Sequence, residues 1–229
     1  MVFSSNVFLL YFFPIFLALY FITPKKFRNY TLLLASFIFY AYGAPEFVIQ
    51  LIVSNIANFY LVKYMHRSEK PLTKKILCGI SITISIGLLF YYKYGNFSMQ
   101  NFNFIAGLFG REPVEWMQIL LPIGISFFSF QSVTYTLDTY RGINEPMKRL
   151  SDYMLYITMF PQLVAGPIIR YCDIADQIRE RESLMTDRLH GFYRFVLGLS
   201  KKILIADVIG FQVDKILGPY AKKSYDKYL

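Results

Sequence analysis

Charged residues are scarce in this 229-residue sequence: they make up 17% of it, whereas 55% of the residues are apolar and 19% are aromatic. This composition excludes a disordered chain, because disordered chains have little apolar or aromatic content. It also excludes collagen and coiled-coil proteins. The few charges form clusters separated by uncharged runs about as long as a bilayer is thick. The composition therefore indicates an all-α protein that crosses a membrane several times.

Cysteine and histidine are equally scarce, with two residues of each. Cys78 and Cys172 are too few for a disulfide framework, and neither has a partner at zinc-binding spacing, so no metal site is predicted. His66 falls in a basic loop and His190 at the start of an amphipathic stretch, where solvated side chains are expected. No nucleophile elbow, P-loop or dinucleotide fingerprint is present. These patterns identify no catalytic residue and no bound cofactor.

Positive charge, in contrast, is plentiful, since 24 Lys and Arg residues against 15 Asp and Glu residues give a net charge of +9. In a soluble chain this excess would suggest nucleic acid. Here the basic residues lie between apolar runs, so we interpret them as topology signals and expect membrane lipids rather than nucleic acid as partners. The uncharged runs predict about five transmembrane helices. They are residues 7–23, 30–44, 47–62, 76–92 and 116–137.

The Lys and Arg clusters also predict the orientation of the chain. Lys25, Lys26 and Arg28 follow the first run, and a second basic cluster, at 63–75, follows the third. Only Glu46 carries charge between the second and third runs. Because cytoplasmic loops carry the excess of Lys and Arg, the N-terminus is expected outside the cell. The first run lacks a basic residue before it, so we expect a retained helix rather than a cleaved signal peptide.

Residues 153–169 are apolar but unsuited to crossing. They contain Pro161 and the pair Gly166 and Pro167, and many basic residues follow at 170–202. If this segment crossed, those basic residues would lie outside, against the positive-inside rule. We therefore predict a broken or re-entrant segment, whose backbone must be buried in protein or line a polar cavity.

The remaining segments complete a prediction of one membrane domain over residues 1–229. Residues 94–110, rich in Asn, Gly and Phe, are expected at the outer membrane interface. Residues 170–190 are expected to form a charged cytoplasmic stretch. Residues 191–209 combine charges with apolar residues, which favours an interfacial helix on the inner side or packing against the helix bundle.

Polar residues gather near the inner end of the fifth run and beyond the broken segment. Gln131, Tyr135 and Asp138 recur at helical spacing and share one face. They either line a cavity or join helices by hydrogen bonds and cap a helix end, and the spacing leaves both roles open. The full set of residues considered for lining a cavity or binding a substrate is Gln131, Tyr135, Asp138, Arg141, Pro161, Gly166, Pro167, Arg170, Lys201 and Lys202.

Four ordered blocks resemble the membrane-bound O-acyltransferase family, in the branch of the alginate O-acetylation proteins. The first is LPIGISFFSFQ at 121–131, which continues to Asp138 and to YRG at 140–142. The others are YITMFPQLVAGPIIR at 156–170, GLSKKILIAD at 198–207, and the opening of the chain with RNY at 28–30 and FYAYG at 39–43. The likeness covers nearly the whole chain.

This resemblance implies an enzyme of the bacterial inner membrane that passes an acetyl group from a cytoplasmic donor such as acetyl-CoA through the bilayer. The acceptor in this branch is a cell-surface or periplasmic polysaccharide such as alginate, commonly served by a partner acetyltransferase outside. The donor is a substrate, so no bound cofactor is implied. Only the N-terminal part of the family fold is matched.

The family's catalytic histidine lies in a block that would follow Leu229, and neither His66 nor His190 takes its place. The resemblance therefore implies that the 229 residues alone are inactive. Two other functions stay open. One is a non-catalytic membrane scaffold or acyl-relay partner of a full-length enzyme. The other is a transporter, although the paired repeats usual in transporters are not seen.

Overall fold

A computed structural model of the protein describes residues 3–163, 166, 169–179 and 184–225. Every regular element within these residues is helical, which confirms the all-α prediction. The described residues divide into two compact units, one within residues 12–179 and the other formed by residues 3–11 together with 184–225. The single membrane domain expected for the whole chain stays a prediction.

The first unit consists of helices joined by short connections. A π-helical stretch, Val7–Phe12, precedes it, and 3₁₀ turns at Lys25–Phe27 and Pro45–Phe47 precede two of its helices. Proline stands beside or within these starts because it lacks the N–H that a first helical turn leaves unpaired. The helices are α1 (Phe13–Ile22), α2 (Arg28–Gly43), α3 (Val48–Arg67), α4 (Pro71–Leu108), α5 (Ile125–Tyr140), α6 (Leu150–Thr158), α7 (Phe160–Leu163) and α8 (Tyr171–Arg179).

Two helical stretches in the described part of the chain are long and apolar enough to cross a membrane. They are Pro45–Arg67, of 23 residues, and Pro71–Leu108, of 38 residues. These contain the predicted third and fourth runs. The predicted first run corresponds to a shorter apolar stretch, Val7–Ile22. The other crossings, and so the total of about five, stay predictions.

Helix α4 is much longer than predicted. Residues 94–110 were expected to form a separate interfacial segment, but α4 continues without a break to Leu108. Its 38 residues reach about 57 Å at 1.5 Å per residue, well beyond the roughly 30 Å hydrocarbon core of a bilayer. The physical reason is that no proline occurs between Pro71 and Pro113, and glycine alone does not end a helix here.

The fifth predicted run begins too early, because residues 111–122 are not helical and α5 starts only at Ile125. Two asparagines of α4 hold this extended segment. Asn96 exchanges hydrogen bonds with both the N–H and the carbonyl of Ile119, at 3.0 and 2.9 Å. Asn103 pairs in the same way with Val114, at 2.9 and 3.0 Å. Side-chain amides thus replace the helical hydrogen bonds that the sequence pattern led us to expect.

Buried polar residues join α3, α4 and α5 inside the first unit. The Ser81 hydroxyl donates to Asn58 Oδ1 at 2.9 Å and lies 3.0 Å from the Thr136 hydroxyl. Asn58 Nδ2 donates to the Ser85 hydroxyl at 3.0 Å. These side chains are buried, so the bonds replace water that the interior excludes. The two Asn58 bonds hold α3 to α4, and the Ser81–Thr136 bond ties α4 to α5, the helix that carries the predicted cavity residues.

The second unit contains two helices and a π-helical turn among its described residues. They are α9 (Met185–Lys201), the turn Lys202–Ala206 and α10 (Asp207–Tyr225). Helix α9 has no buried residue, and large apolar side chains such as Phe192, Leu204 and Phe211 are exposed. The interfacial location expected for residues 191–209 stays a prediction.

Candidate functional site

The predicted face of α5 lies in the interior of the first unit. Gln131, Tyr135 and Asp138 are 2%, 1% and 8% exposed. The backbone N–H of Met147 donates to the Tyr135 hydroxyl at 2.8 Å, which ties the loop after α5 back onto the helix. Within the described part of the chain, no hydrogen bond or ion pair engages the Gln131 amide or the Asp138 carboxylate. A role for these two side chains in binding a ligand stays a prediction.

A cluster of tyrosines brings α6 and α8 against this face. The Tyr135 ring lies 5.0 Å from the Tyr153 ring and 5.3 Å from the Tyr171 ring, between centroids. Tyr156 lies 5.7 Å from Tyr171, and its hydroxyl donates to the carbonyl of Ile169 at 3.0 Å. We name Gln131, Tyr135, Asp138, Tyr153, Tyr156 and Tyr171 the tyrosine cluster.

Within the described residues, the helix breaks at Met159, two residues before Pro161, while Pro167 lies outside them and the re-entrant course stays a prediction. Helix α6 ends at Thr158, Met159 leaves the helical conformation with φ −54° and ψ 115°, and α7 is a single turn. The freed N–H of Phe160 donates to the Ser36 hydroxyl of α2 at 3.1 Å. Residues of α6 and α7 are largely buried, so protein, not lipid, surrounds this break. The burial meets the condition that irregular backbone needs at membrane depth.

Gln162 of α7 carries a buried side-chain amide in the broken segment. Its side chain is 5% exposed, and its Nε2 donates to the carbonyl of Tyr156 at 2.6 Å. Its Oε1 is buried and has no hydrogen-bond partner among the described residues. Because Tyr156 belongs to the tyrosine cluster, this hydrogen bond holds Gln162 beside it. An unpaired buried acceptor costs about 1–3 kcal/mol, which a donor group of a ligand would recover.

Other predicted site residues lie outside this interior. Arg141, Pro161 and Arg170 are exposed, Gly166 is half-buried, and Pro167 lies outside the described residues. Arg141 directly follows α5 and Arg170 directly precedes α8, so both arginines stand next to elements of the tyrosine cluster. Their role in binding an anionic donor stays a prediction.

Lys201 and Lys202 belong to the second unit, so their predicted role likewise stays a prediction. Lys201 is exposed and Lys202 is half-buried. Lys202 Nζ donates to the Ser4 hydroxyl at 2.6 Å and lies 3.2 Å from both carboxylate oxygens of Asp207. These contacts give Lys202 a structural role in joining the start of the chain to the π-helical turn.

Neither histidine enters the tyrosine cluster, and both are exposed. Cys78 is buried, Cys172 is exposed, and both are free thiols. Within the described ranges, no group of three or more His, Cys, Asp or Glu side chains could hold a metal ion.

Sequence reasoning missed Tyr153, Tyr156, Tyr171 and Gln162 as members of this site. Tyr153 and Tyr156 stand three residues apart on one face of α6, which a search for aromatic residues at helical spacing would have found. Gln162 gave no such indication, because its burial results from the break between α6 and α7 rather than from a periodic pattern.

Comparison with known proteins shows which proteins this chain is similar to. The chain is 39% identical to the probable alginate O-acetylase AlgI of Pseudomonas putida KT2440 over 217 residues, which is 93% of this chain and 44% of that protein. It is 35% identical to the protein of the same name from Pseudomonas aeruginosa PAO1, over 93% of this chain and 41% of that one. No family model and no solved structure matches the chain.

A relative with a different named activity matches as well. The peptidoglycan O-acetyltransferase of Helicobacter pylori 26695 is 27% identical over 90% of this chain and 45% of that protein. The chain spans 40–45% of the length of the curated relatives it matches. Over nearly all of its own length it is a homologue of the alginate O-acetylases, so the resemblance to the membrane-bound O-acyltransferase family is confirmed.

Proposed function

We propose that this chain takes part in the O-acetylation of an extracytoplasmic polysaccharide, using acetyl-CoA or a similar thioester as the donor. The observation that carries the proposal is the homology over nearly the whole chain to proteins named for acetylating alginate, with a further match to one named for acetylating peptidoglycan. Alginate and peptidoglycan both carry sugar hydroxyls. The acceptor is therefore a polysaccharide hydroxyl, and alginate is the first polymer to test.

The tyrosine cluster supports this function by providing acceptors in a dry interior. Over the whole transfer, which the partner completes on the polymer, the C–S bond of the donor breaks, a C–O bond forms to the sugar, and the proton of the sugar hydroxyl ends on the departing thiolate by way of a base. The Asp138 carboxylate and Gln162 Oε1 can each accept a hydrogen bond from an N–H or O–H of the donor. The packed, buried rings of Tyr135, Tyr153 and Tyr156 exclude water from this interior, and water would otherwise hydrolyse the thioester.

The path we propose runs from the cytoplasm outward. The chain lies in the bacterial inner membrane with about five crossings and its N-terminus outside, as the distribution of Lys and Arg predicts. Arg141 and Arg170 would meet the phosphates of the donor on the inner side. An acetyltransferase outside the membrane would be the partner that delivers the acetyl group to the polymer.

The base of the reaction is not assigned to this chain. Both of its histidines are exposed, and the family resemblance implies that neither takes the catalytic position. We therefore propose that the 229 residues alone do not turn over, and that a histidine from outside this sequence completes the site. The same observation favours a second candidate function, an acyl-relay or scaffold role beside a full-length enzyme.

Deleting the codons for α5 to α8 in the native host tests the proposal. We expect the ester-linked acetate of the surface polysaccharide, released by mild alkali, to fall to the background level of a strain that lacks the gene. A matched strain that carries Lys215→Ala, at an exposed position of α10, should keep its acetate. Unchanged acetate after the deletion would rule out both the enzymatic and the relay role.

A further inference from the structure

The start of α5 comes unusually close to the broken segment. Gly124, which precedes α5, has φ +77°, a left-handed conformation that side chains rarely adopt. A Cβ built on Gly124 would lie 2.5 Å from the carbonyl oxygen of Leu163, at the end of α7. That neighbour is a backbone atom and Leu163 is fully buried, so the contact has no flexible end that could move aside. Only glycine fits between the two segments.

Helix α7 is held on its other sides too. Phe160 packs among the rings of Phe12, Phe16 and Phe39, with centroids 5.1–5.5 Å apart. Its backbone N–H is bound by Ser36. Gly166 folds back over the turn, and a Cβ there would overlap Gln162. These contacts restrain α7 on its other sides. The close approach of Gly124 restrains it on the side that faces α5.

We infer that Gly124 is a positioning residue for Gln162. The absence of a side chain at Gly124 lets α5 close on the Leu163 carbonyl, which fixes α7 and so the buried Oε1 of Gln162 beside the tyrosine cluster. The inference rests on the proposed function for its chemical meaning, since it makes Gln162 an acceptor for an N–H or O–H of the acyl donor. Its structural part stands on the geometry of Gly124 alone.

A matched pair of substitutions separates this contact from simple backbone strain. Gly110 has φ +71°, close to that of Gly124, but nothing lies within 4 Å of a Cβ built there. Gly124→Ala and Gly110→Ala therefore share the conformational cost and differ in the clash with Leu163. The parent chain for both carries Cys172→Ser and Gln162→Cys and keeps Cys78, which is buried in α4 and reports on general loosening.

Labelling with N-ethylmaleimide, located by mass spectrometry, measures whether α7 moves. We expect the cysteine at position 162 to react at least tenfold faster after Gly124→Ala than in the parent, while Cys78 stays protected and Gly110→Ala changes neither rate. Equal rates at position 162 in the two glycine variants would overturn the inference. So would simultaneous exposure of Cys78, because the effect would then be unfolding. If the parent with Gln162→Cys does not fold, the same labelling experiment is done with Leu163→Cys in its place.

A binding measurement tests whether the position of Gln162 affects binding of the acyl donor. In the otherwise native chain, Gly124→Ala should weaken acetyl-CoA binding at least tenfold, and Gly110→Ala should leave the Kd unchanged at a similar midpoint of thermal unfolding. Equal Kd values for the two variants would overturn the role toward the ligand. If the unsubstituted chain binds no acetyl-CoA, the proposed function is wrong, while the labelling result still decides whether Gly124 positions α7.

Discussion

The hydroxyl of Tyr135 shows how a single polar atom holds the candidate site together. It accepts the N–H of Met147 in a region that water does not reach, so its removal leaves a buried donor unpaired. Such an unpaired group costs about 1–3 kcal/mol. The same accounting applies in reverse to Gln162 Oε1, which is buried and has no partner among the described residues, so we regard it as a ligand contact rather than a structural bond.

Tyr135→Phe should therefore lower the free energy of unfolding by about 1–3 kcal/mol without changing the ring packing. Tyr140→Phe, at an exposed position on the same helix, serves as the control and should have little effect. Unfolding in mixed detergent micelles, followed by circular dichroism, gives both values. A loss no greater than that of the control would show that Met147 finds another acceptor.

Asp138→Asn tests whether the buried carboxylate serves a ligand. The substitution keeps the shape and removes the charge, and the structure gives the carboxylate no ion pair among the described residues, so stability should not fall. Acetyl-CoA binding should weaken at least tenfold, measured by isothermal titration calorimetry. Glu145→Gln, exposed in the loop after α5, is the matched control and should leave the Kd unchanged. A stability loss with intact binding would instead make Asp138 structural.

At the scale of elements, a few hydrogen bonds between polar side chains fix how α3, α4 and α5 pack against one another. Asn58 joins α3 to α4 by two bonds, and Ser81 extends the connection to Thr136 of α5. Hydrogen bonds between membrane helices contribute about 0.6 kcal/mol on average and at most about 1.7 kcal/mol. Sliding α5 along α4 would break the Ser81–Thr136 bond, and sliding α3 along α4 would break both bonds of Asn58.

Asn58→Ala should destabilise the bundle by about 1–2 kcal/mol, because it removes the two bonds between α3 and α4 and leaves Ser81 and Ser85 each with one bond fewer. Asn101→Ala is the control, since Asn101 is exposed and, among the described residues, its side chain bonds to the carbonyl of Phe97 in its own helix, at 2.8 Å, and to no other helix. The difference between the two variants in a detergent unfolding titration measures the interhelical share. Equal losses of stability in the two variants would contradict the proposed role of the bonds between Asn58, Ser81 and Ser85.

The helices follow from the sequence where prolines and charges bound uncharged runs, as in α3 and the first part of α4. The break near Pro161 was predictable for the same reason. The extended segment at 111–122 was not, since it depends on Asn96 and Asn103 reaching backbone groups more than ten residues away. The contact of Gly124 with Leu163 was equally hidden, because it joins two motifs that are about 40 positions apart in the chain.

At the scale of the whole molecule, the distribution of charge predicts which side each loop faces. A reporter enzyme fused after Arg67 should behave as cytoplasmic, and one fused at Glu46 should behave as extracytoplasmic, because the basic cluster at 63–75 follows the third run. Alkaline phosphatase and β-galactosidase fusions at both positions provide complementary readings. The reverse pattern would place the basic loops outside and would refute the orientation.

The central claim is that the buried interior of α5 to α8 receives an acyl donor from the cytoplasm. Photo-crosslinking of inside-out membrane vesicles with a photoreactive acetyl-CoA analogue tests it most directly. The account predicts labelled peptides from α5 to α8, loss of the label with excess acetyl-CoA, and a much weaker label in Asp138→Asn than in Glu145→Gln. Label confined to other parts of the chain, or undiminished by acetyl-CoA, would contradict the account.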